Sequence, residues 1–327
     1  MNIASTARVK ALGAYLPPKS LTNHDLEQMV DTSDEWIIQR TGIRERRITE
    51  KDMFTSDLAV KAVEQLASQP GVSIDDVELV IVSTLTSDFL TPSTAARVQG
   101  TLGIKGAGVL DVNAACAGFV YGLSVANALI TVGQYRKVIV AAADVLSKIT
   151  DYSDRNTCVL FGDAAAAAIV ERDESQGFLA TFTSSNGELG EKLFCPGVSP
   201  SMNGYAVGKP GDRYLFQDGK AVYTWAISTV PDGMNELLAR ADMTIDDLDW
   251  FIPHSANLRM IKSICKRLKI PMEKTLTSVE EYGNTSSVTI PLALDLALKS
   301  GKIKRGDKLA LYGFGGGLTQ AGAIIVW

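Results

Sequence analysis

Hydrophobic positions in this chain follow two alternating periods. Near-continuous apolar runs of strand character occupy Arg8 to Leu16, the latter part of Ser73 to Thr84, Gly106 to Val112, Arg136 to Ala143, and the stretch from Phe161-Gly162 to Val170. Runs with helical spacing separate them. The first strand ends at Pro17-Pro18, and Thr22-Asn23-His24-Asp25 carries the capping chemistry of a helix start. Asp34 to Arg40, with Trp36, reads as a short helix before Thr41-Gly42; Asp57 to Ala67 is amphipathic, and Pro92 to Leu102 is helical again. Phe119, Leu123, Ala126 and Ile130 recur at helical spacing. Gly106 to Val112 is therefore expected to be a buried strand that turns through Asn113 to Ala115 into a helix starting near Cys116. Strands alternating with helices predict an α/β fold of packed layers.

The pattern then repeats. Thr244 to Ser255 (TIDDLDWFIPHS) matches Ser73 to Thr84 (SIDDVELVIVST) almost position for position, 171 residues later. Leu268-Lys269-Ile270 echoes Leu102-Gly103-Ile104, Gly301 echoes Gly133, and Phe314-Gly315 before a closing strand echoes Phe161-Gly162. The order of these matches indicates two duplicated halves, 1–174 and 175–327, joined near Arg172 to Gly177, with a loop-rich insert from Ser184 to Lys209. Cys116 and Asn284 each precede the glycine of their half, Gly133 and Gly301, by 17 residues, which predicts equivalent strand-to-helix turns. If the halves pack about a pseudo-twofold axis, those helix starts face one another. His254 follows the repeated strand at the edge where ligands meet α/β sheets.

Composition narrows the class. A chain of 327 residues with 46% hydrophobic and 21% charged residues fits a globular protein of two domains or one large two-part domain. A net charge of -5 argues against general nucleic-acid binding. No signal peptide or membrane span is read: even Cys158 to Val170 is broken by Asp163. The four cysteines, Cys116, Cys158, Cys195 and Cys265, form no Cys-x-x-Cys pair, so neither a metal site nor a disulfide framework is expected, and a cytoplasmic location is.

Cys116 at a strand-to-helix turn suits a nucleophile. Free amides and the positive end of the macrodipole around the sulfur are expected to lower its pKa toward neutrality. Ala114, Ala115, Ala117 and Gly118 leave room for a substrate carbonyl. Only two histidines occur, and His24 reads as a solvated residue of a helix start, which leaves His254 as the candidate base. Asn284, in EYGNTSS, is also compatible with ordinary turn chemistry. Together, Cys, His and Asn suit carbon-carbon bond formation on thioesters. Cys116 would take an acyl group, while His254 and the Asn284 amide would donate to a thioester oxygen that becomes enolate-like when malonate loses CO2. The segment Gly313 to Thr319 (GFGGGLT) could bring a backbone amide to the first oxyanion. It is a poor phosphate loop, because no Gly-Lys-Ser/Thr follows.

These residues stand in motifs that run nearly the length of the chain: DEWIIQRTGI at Asp34 to Ile43, DVNAACAGF at Asp111 to Phe119, FGD at Phe161 to Asp163, HSANLR at His254 to Arg259, YGNTSS at Tyr282 to Ser287, and GFGGG at Gly313 to Gly317. On them the chain resembles the β-ketoacyl-acyl-carrier-protein synthase III family, the initiating condensing enzymes of type II fatty acid synthesis. The resemblance implies a five-layered αβαβα thiolase-like fold, a homodimer, and acyltransferase activity with catalytic Cys116, His254 and Asn284. Gly316 would supply an oxyanion amide with that of Cys116. Trp36, Arg40, Thr41, Arg155 and Asn257 match positions that hold coenzyme A, with Trp36 and Arg155 flanking the adenine. The substrates implied are acyl-coenzyme A and malonyl-acyl-carrier protein, with no permanently bound cofactor.

Ser255, Ala256, Asn257, Leu258 and Arg259 match the family's carrier-protein-binding region, and Lys262, Lys266 and Arg267 extend it as a basic patch on an acidic protein. Where some relatives place a lysine after an aromatic before Trp225, this chain has Tyr223-Thr224. Thr91 matches the position that closes the acyl pocket from the partner subunit. Its small size, where acetyl-restricted relatives have phenylalanine, implies longer or branched primers. The alternatives are a Cys-His-Asn condensing enzyme of polyketide type, an acyltransferase of secondary metabolism that does not decarboxylate, and a noncatalytic dimerising scaffold.

Overall fold

The computed structural model describes residues 4–199, 201–202, 204–206 and 214–327. Positions 200, 203 and 207–209 of the expected insert lie outside the described residues. Two sheets organise the rest. The first contains Ala7–Tyr15 (β1), Leu79–Ser83 (β2), Gly108–Val112 (β3), Lys137–Asp144 (β4) and Ala164–Arg172 (β5), in the order β1-β5-β4-β2-β3. The second contains Phe178–Ser185 (β6), Trp250–Pro253 (β7), Lys308–Gly315 (β8) and Thr319–Val326 (β9), in the order β7-β8-β9-β6.

Helices fill three layers around them. Thr55–Ala67 (α1) and Thr94–Leu102 (α2) cover the outer face of the first sheet, and Gly219–Arg240 (α4) packs with Leu258–Leu268 (α5) outside the second. Gly118–Thr131 (α3) and Thr289–Lys299 (α6) each touch strands of both sheets and form the middle layer. A sheet covered on both faces needs apolar residues on both, which is why β4 and the Ala164 to Val170 part of β5 are buried without alternation. Five successive alanines, Ala164 to Ala168, let the two helical layers approach β5 closely. Val140, Leu123, Leu292, Leu311 and Ala323 belong to the central core that joins the sheets through α3 and α6.

The repeated pattern corresponds to repeated topology. In each sheet a strand pairs antiparallel with its neighbour, that neighbour pairs antiparallel with the next, and the next pairs parallel with a fourth: β1-β5-β4-β2 and β6-β9-β8-β7. The fifth strand, β3, pairs parallel with β2, and its counterpart is reduced to one parallel bridge between Phe251 and Thr275.

The chain differs from expectation at β3, which was expected to be buried. It is the sheet's edge, bonded only to β2, and Val109 and Leu110 are 40% and 39% exposed. Asp111 nevertheless ties this edge to α2, its carboxylate accepting from the Thr94 and Ala95 amides at 2.7 Å each. That anion meets free N–H groups at the start of the helix, as does the Ser93 cap, which accepts from Ala96 N. The strand leading to Cys116 is thereby fixed.

Candidate active site

Each half ends its repeat in the same turn. Asn113 Oδ1 accepts from Ala115 N at 3.4 Å, and Asn284 Oδ1 accepts from Ser286 N at 2.9 Å. Ala115 and Ser286 both adopt left-handed φ, 43° and 54°, which residues with a Cβ seldom hold unless their surroundings impose it. A single 3-10 turn follows in each half, Ala115–Ala117 and Ser286–Val288, and leads into α3 or α6. The equivalence is therefore 171 residues throughout, pairing Asn113 with Asn284 and Cys116 with Ser287. Counting back from Gly133 and Gly301 misplaces the pair by three residues, because α3 has 14 residues and α6 has 11.

The turn of the second half is tied to the end of β2 in the first. Asp144, at the end of β4, is fully buried. Its carboxylate accepts from Thr84 Oγ1, Leu85 N and Thr86 Oγ1 in one half and from Ser287 Oγ at 3.0 Å in the other. Burial raises its pKa, opposed by these donors. Gly118 opens α3 against the same floor: a Cβ there would stand 1.9 Å from Ser83 Oγ. At the other side, the Cα of Gly315 abuts the cysteine, since a Cβ on it would lie 3.0 Å from Cys116 Sγ and 2.8 Å from its Cβ.

Cys116, His254 and Asn284 converge on one cavity of about 1400 Å³, which Gly316 also lines. The thiol is not activated as expected. It sits in the 3-10 turn before α3, only 7% exposed, and burial pushes it up to about 12, with Asp144 adding to the rise and Ser286 opposing burial. Loss of hydration costs the thiolate more than the short turn's dipole returns. To act as a nucleophile, a thiol so placed would need a base to take its proton.

His254 lines the same cavity. Its backbone N donates to Tyr312 O at 2.8 Å, and the ring is held edge-on by Phe314 at 5.2 Å. Nδ1 lies 2.8 Å from Thr289 Oγ1. Burial lowers the imidazole to about 3, so the ring is neutral at physiological pH and able to accept a proton. Asn284 is fixed by its backbone: N donates to Leu160 O, and its O accepts from Gly162 N. Because Oδ1 is taken by Ser286 N, the side chain offers Nδ2 as a donor.

Four of the five positions matched to coenzyme A, Trp36, Arg40, Thr41 and Asn257, line the same cavity, and Arg155 is not among its lining residues. The Trp36 ring centre lies 5.8 Å from the Arg40 guanidinium and 5.3 Å from that of Arg155, which donates to Asp31 O. Thr41 is buried, and its hydroxyl donates to Ile37 O. Asn257 caps α5 through Oδ1 and donates to Arg40 O through Nδ2.

Of the carrier-binding residues, Arg259, Lys262, Lys266 and Arg267 project from α5 as exposed cations, and Ala256 and Leu258 are half-buried. Ser255 does not belong to that surface: it is fully buried, and its hydroxyl accepts from Ser278 N. Thr91 is exposed beside Leu90 and lies off the cavity of its own chain.

Two polar residues beneath the site went unread. Asp144 ends the apolar run KVIVAAAD, where a lone acid is a usable signal, whereas Thr289 stands in an ordinary helix start. Among the described residues, no group of His, Cys, Asp and Glu is placed to hold a metal ion, and no helix is long and apolar enough to cross a membrane.

Residues 110–187 match the family described as 3-Oxoacyl-[acyl-carrier-protein (ACP)] synthase III, and residues 238–327 match its C-terminal region. The chain is 54% identical to Beta-ketoacyl-[acyl-carrier-protein] synthase III 2 of Halalkalibacterium halodurans, covering 100% of this chain and 98% of that protein. It is 55% identical to the protein of the same name from Bacillus subtilis, over 99% of each. The β-ketoacyl-[acyl-carrier-protein] synthase III structure from Thermus thermophilus superposes with a TM-score of 0.94 at 42% identity, covering 98% of this chain and 99% of that one. Fold and comparisons together define an acyltransferase of the condensing class, with the thiolase-like architecture. Within that class the chain belongs to the β-ketoacyl-acyl-carrier-protein synthase III family, the initiating condensing enzymes of fatty acid synthesis.

Proposed function

We propose that the enzyme works in two stages at Cys116. An acyl-coenzyme A enters past Trp36 and Arg40, Cys116 attacks the acyl carbon as His254 accepts the thiol proton, and coenzyme A leaves. The amides of Cys116 and Gly316 receive the oxyanion. Malonyl-acyl-carrier protein then docks on the Arg259, Lys262, Lys266 and Arg267 face of α5. As CO2 departs, Asn284 Nδ2 donates to the thioester oxygen; the carbanion attacks the acyl carbon and breaks its bond to Cys116 sulfur, giving β-ketoacyl-acyl-carrier protein and a thiolate that takes a proton from water. The observation that carries this reading is the convergence of a thiol, a neutral imidazole and a free amide donor on one cavity.

The test is the intact mass of the protein after incubation with acyl-coenzyme A primers of increasing length and branching. A single acyl adduct on Cys116, extending to branched or longer primers, is expected because Thr91 is small. An adduct with acetyl alone would overturn the primer assignment, and none at all would overturn the first stage. Asn284→Ala is expected to leave acylation within a few-fold while slowing decarboxylation by roughly 100-fold, the scale of losing one oxyanion donor. Equal loss of both partial reactions would count against the role given to its amide.

Thr91 acts in this reading from the other subunit of a homodimer. The open β3 edge, with exposed Val109 and Leu110, supports such an assembly, since an open apolar edge invites a strand from a second copy. The same reading divides the chain into halves 1–174 and 175–327, the first carrying the thiol and the second the imidazole and amide. It places the enzyme in the cytoplasm, a compartment that keeps thiols reduced.

A further inference from the structure

We propose that Thr289 is a positioning residue that sets which nitrogen of His254 carries the ring proton, making Nε2 the atom that accepts the Cys116 proton. This rests on the two-stage reading above. Thr289 opens α6 and is fully buried. Its Oγ1 touches two groups: Ser286 O at 3.0 Å, which can only accept, and His254 Nδ1 at 2.8 Å, which can do either. A hydroxyl has one proton. With that proton on Ser286 O, the lone pairs of Oγ1 face the ring, and Nδ1 must be the donor. Nε2 then bears the lone pair. The imidazole lines the cavity that holds Cys116.

The consequence is a balanced first stage. As sulfur bonds the acyl carbon, the S–H proton passes to Nε2, and the imidazolium keeps Nδ1–H on Thr289. When the carbon–sulfur bond to coenzyme A breaks, the departing thiolate takes the proton from Nε2. The ring returns to its starting form, with no net proton gained or lost. The Asn284 amide that donates to the thioester oxygen has its orientation fixed independently, by Ser286 N. Ser286 thus serves both partners: its N–H orients Asn284 and its carbonyl orients Thr289.

Histidine-selective 15N labelling gives a direct readout, because the chain holds only His24 and His254. His24 is exposed, and His24→Gln assigns the spectrum. At neutral pH, without substrate, His254 is expected as the Nδ1–H form, with Nε2 showing the shift of an unprotonated ring nitrogen. Thr289→Val keeps the shape and removes the hydroxyl. It is expected to abolish that single form and slow Cys116 acylation by roughly tenfold or more, with KM for acyl-coenzyme A unchanged and Thr289→Ser restoring both. A wild-type spectrum of the Nε2–H form, or a valine variant with unaltered tautomer and rate, would overturn the assignment. The wild-type spectrum decides even if the valine variant fails to fold. A wild-type protein of the Nδ1–H form that is not acylated on Cys116 would sink the two-stage reading and leave the tautomer assignment standing.

Discussion

Cys116→Ser is expected to yield a folded protein that takes up no acyl group from acyl-coenzyme A and condenses at least ~1,000-fold more slowly than the parent. In the proposed first stage, burial pushes the thiol up to about 12, and its proton passes to His254 in concert with attack. A hydroxyl in the same place is both less acidic and less nucleophilic, and the neutral imidazole is too weak a base to compensate. Intact mass spectrometry reports the result, and peptide mapping makes it decisive, because Cys195 also lines the cavity. Acylation of Cys195 in the serine variant at the parental rate would remove Cys116 from the mechanism. Slow decarboxylation of malonyl-carrier protein should survive, since Asn284 is untouched.

Gly315→Ala is expected to be nearly as damaging to activity without altering any reacting group. The added methyl would lie 3.2 Å from Cys116 N, as well as against its Cβ and Sγ, and the contact with main chain has no flexible end to yield. Either β8 or the cysteine turn must shift. Displacement of a reacting atom by about 1 Å costs on the order of 100-fold in rate, and overpacking of this kind costs about 1–3 kcal/mol in stability. Acylation rate and thermal midpoint should both fall. Gly100→Ala is the control, because a Cβ at that helical position of α2 meets nothing within 4 Å. A Gly315→Ala enzyme acylated at the parental rate would show that the turn has slack.

Much of the site was legible because its residues are rare or patterned. Two histidines reduced the base to one candidate, and the repeat located both turns. What escaped depends on contacts that pattern does not encode. The thiol's raised pKa comes from being walled in by residues such as Gly315, 199 positions away in sequence, and no strand-to-helix signal reports that. The three-residue misalignment arose from helix length, because Gly133 and Gly301 mark where α3 and α6 end. Ser255 sits in a polar segment yet is buried, its hydroxyl spent on Ser278 N. The strand before Cys116 has the apolar composition of an interior strand but stands at an edge in the single chain.

The paired Asx turns break their own symmetry. One recurring loop shape is used at its fourth residue in the first half, for Cys116, and at its first residue in the second, for Asn284. The positions left over, Asn113 and Ser287, keep structural work: one holds its turn and the other binds Asp144. The cavity between the turns is therefore handed. In the proposed reaction, a carbonyl seated at the thiol and a thioester oxygen seated at the amide would meet unlike surroundings, so the chain that is donated and the chain that grows would not exchange seats.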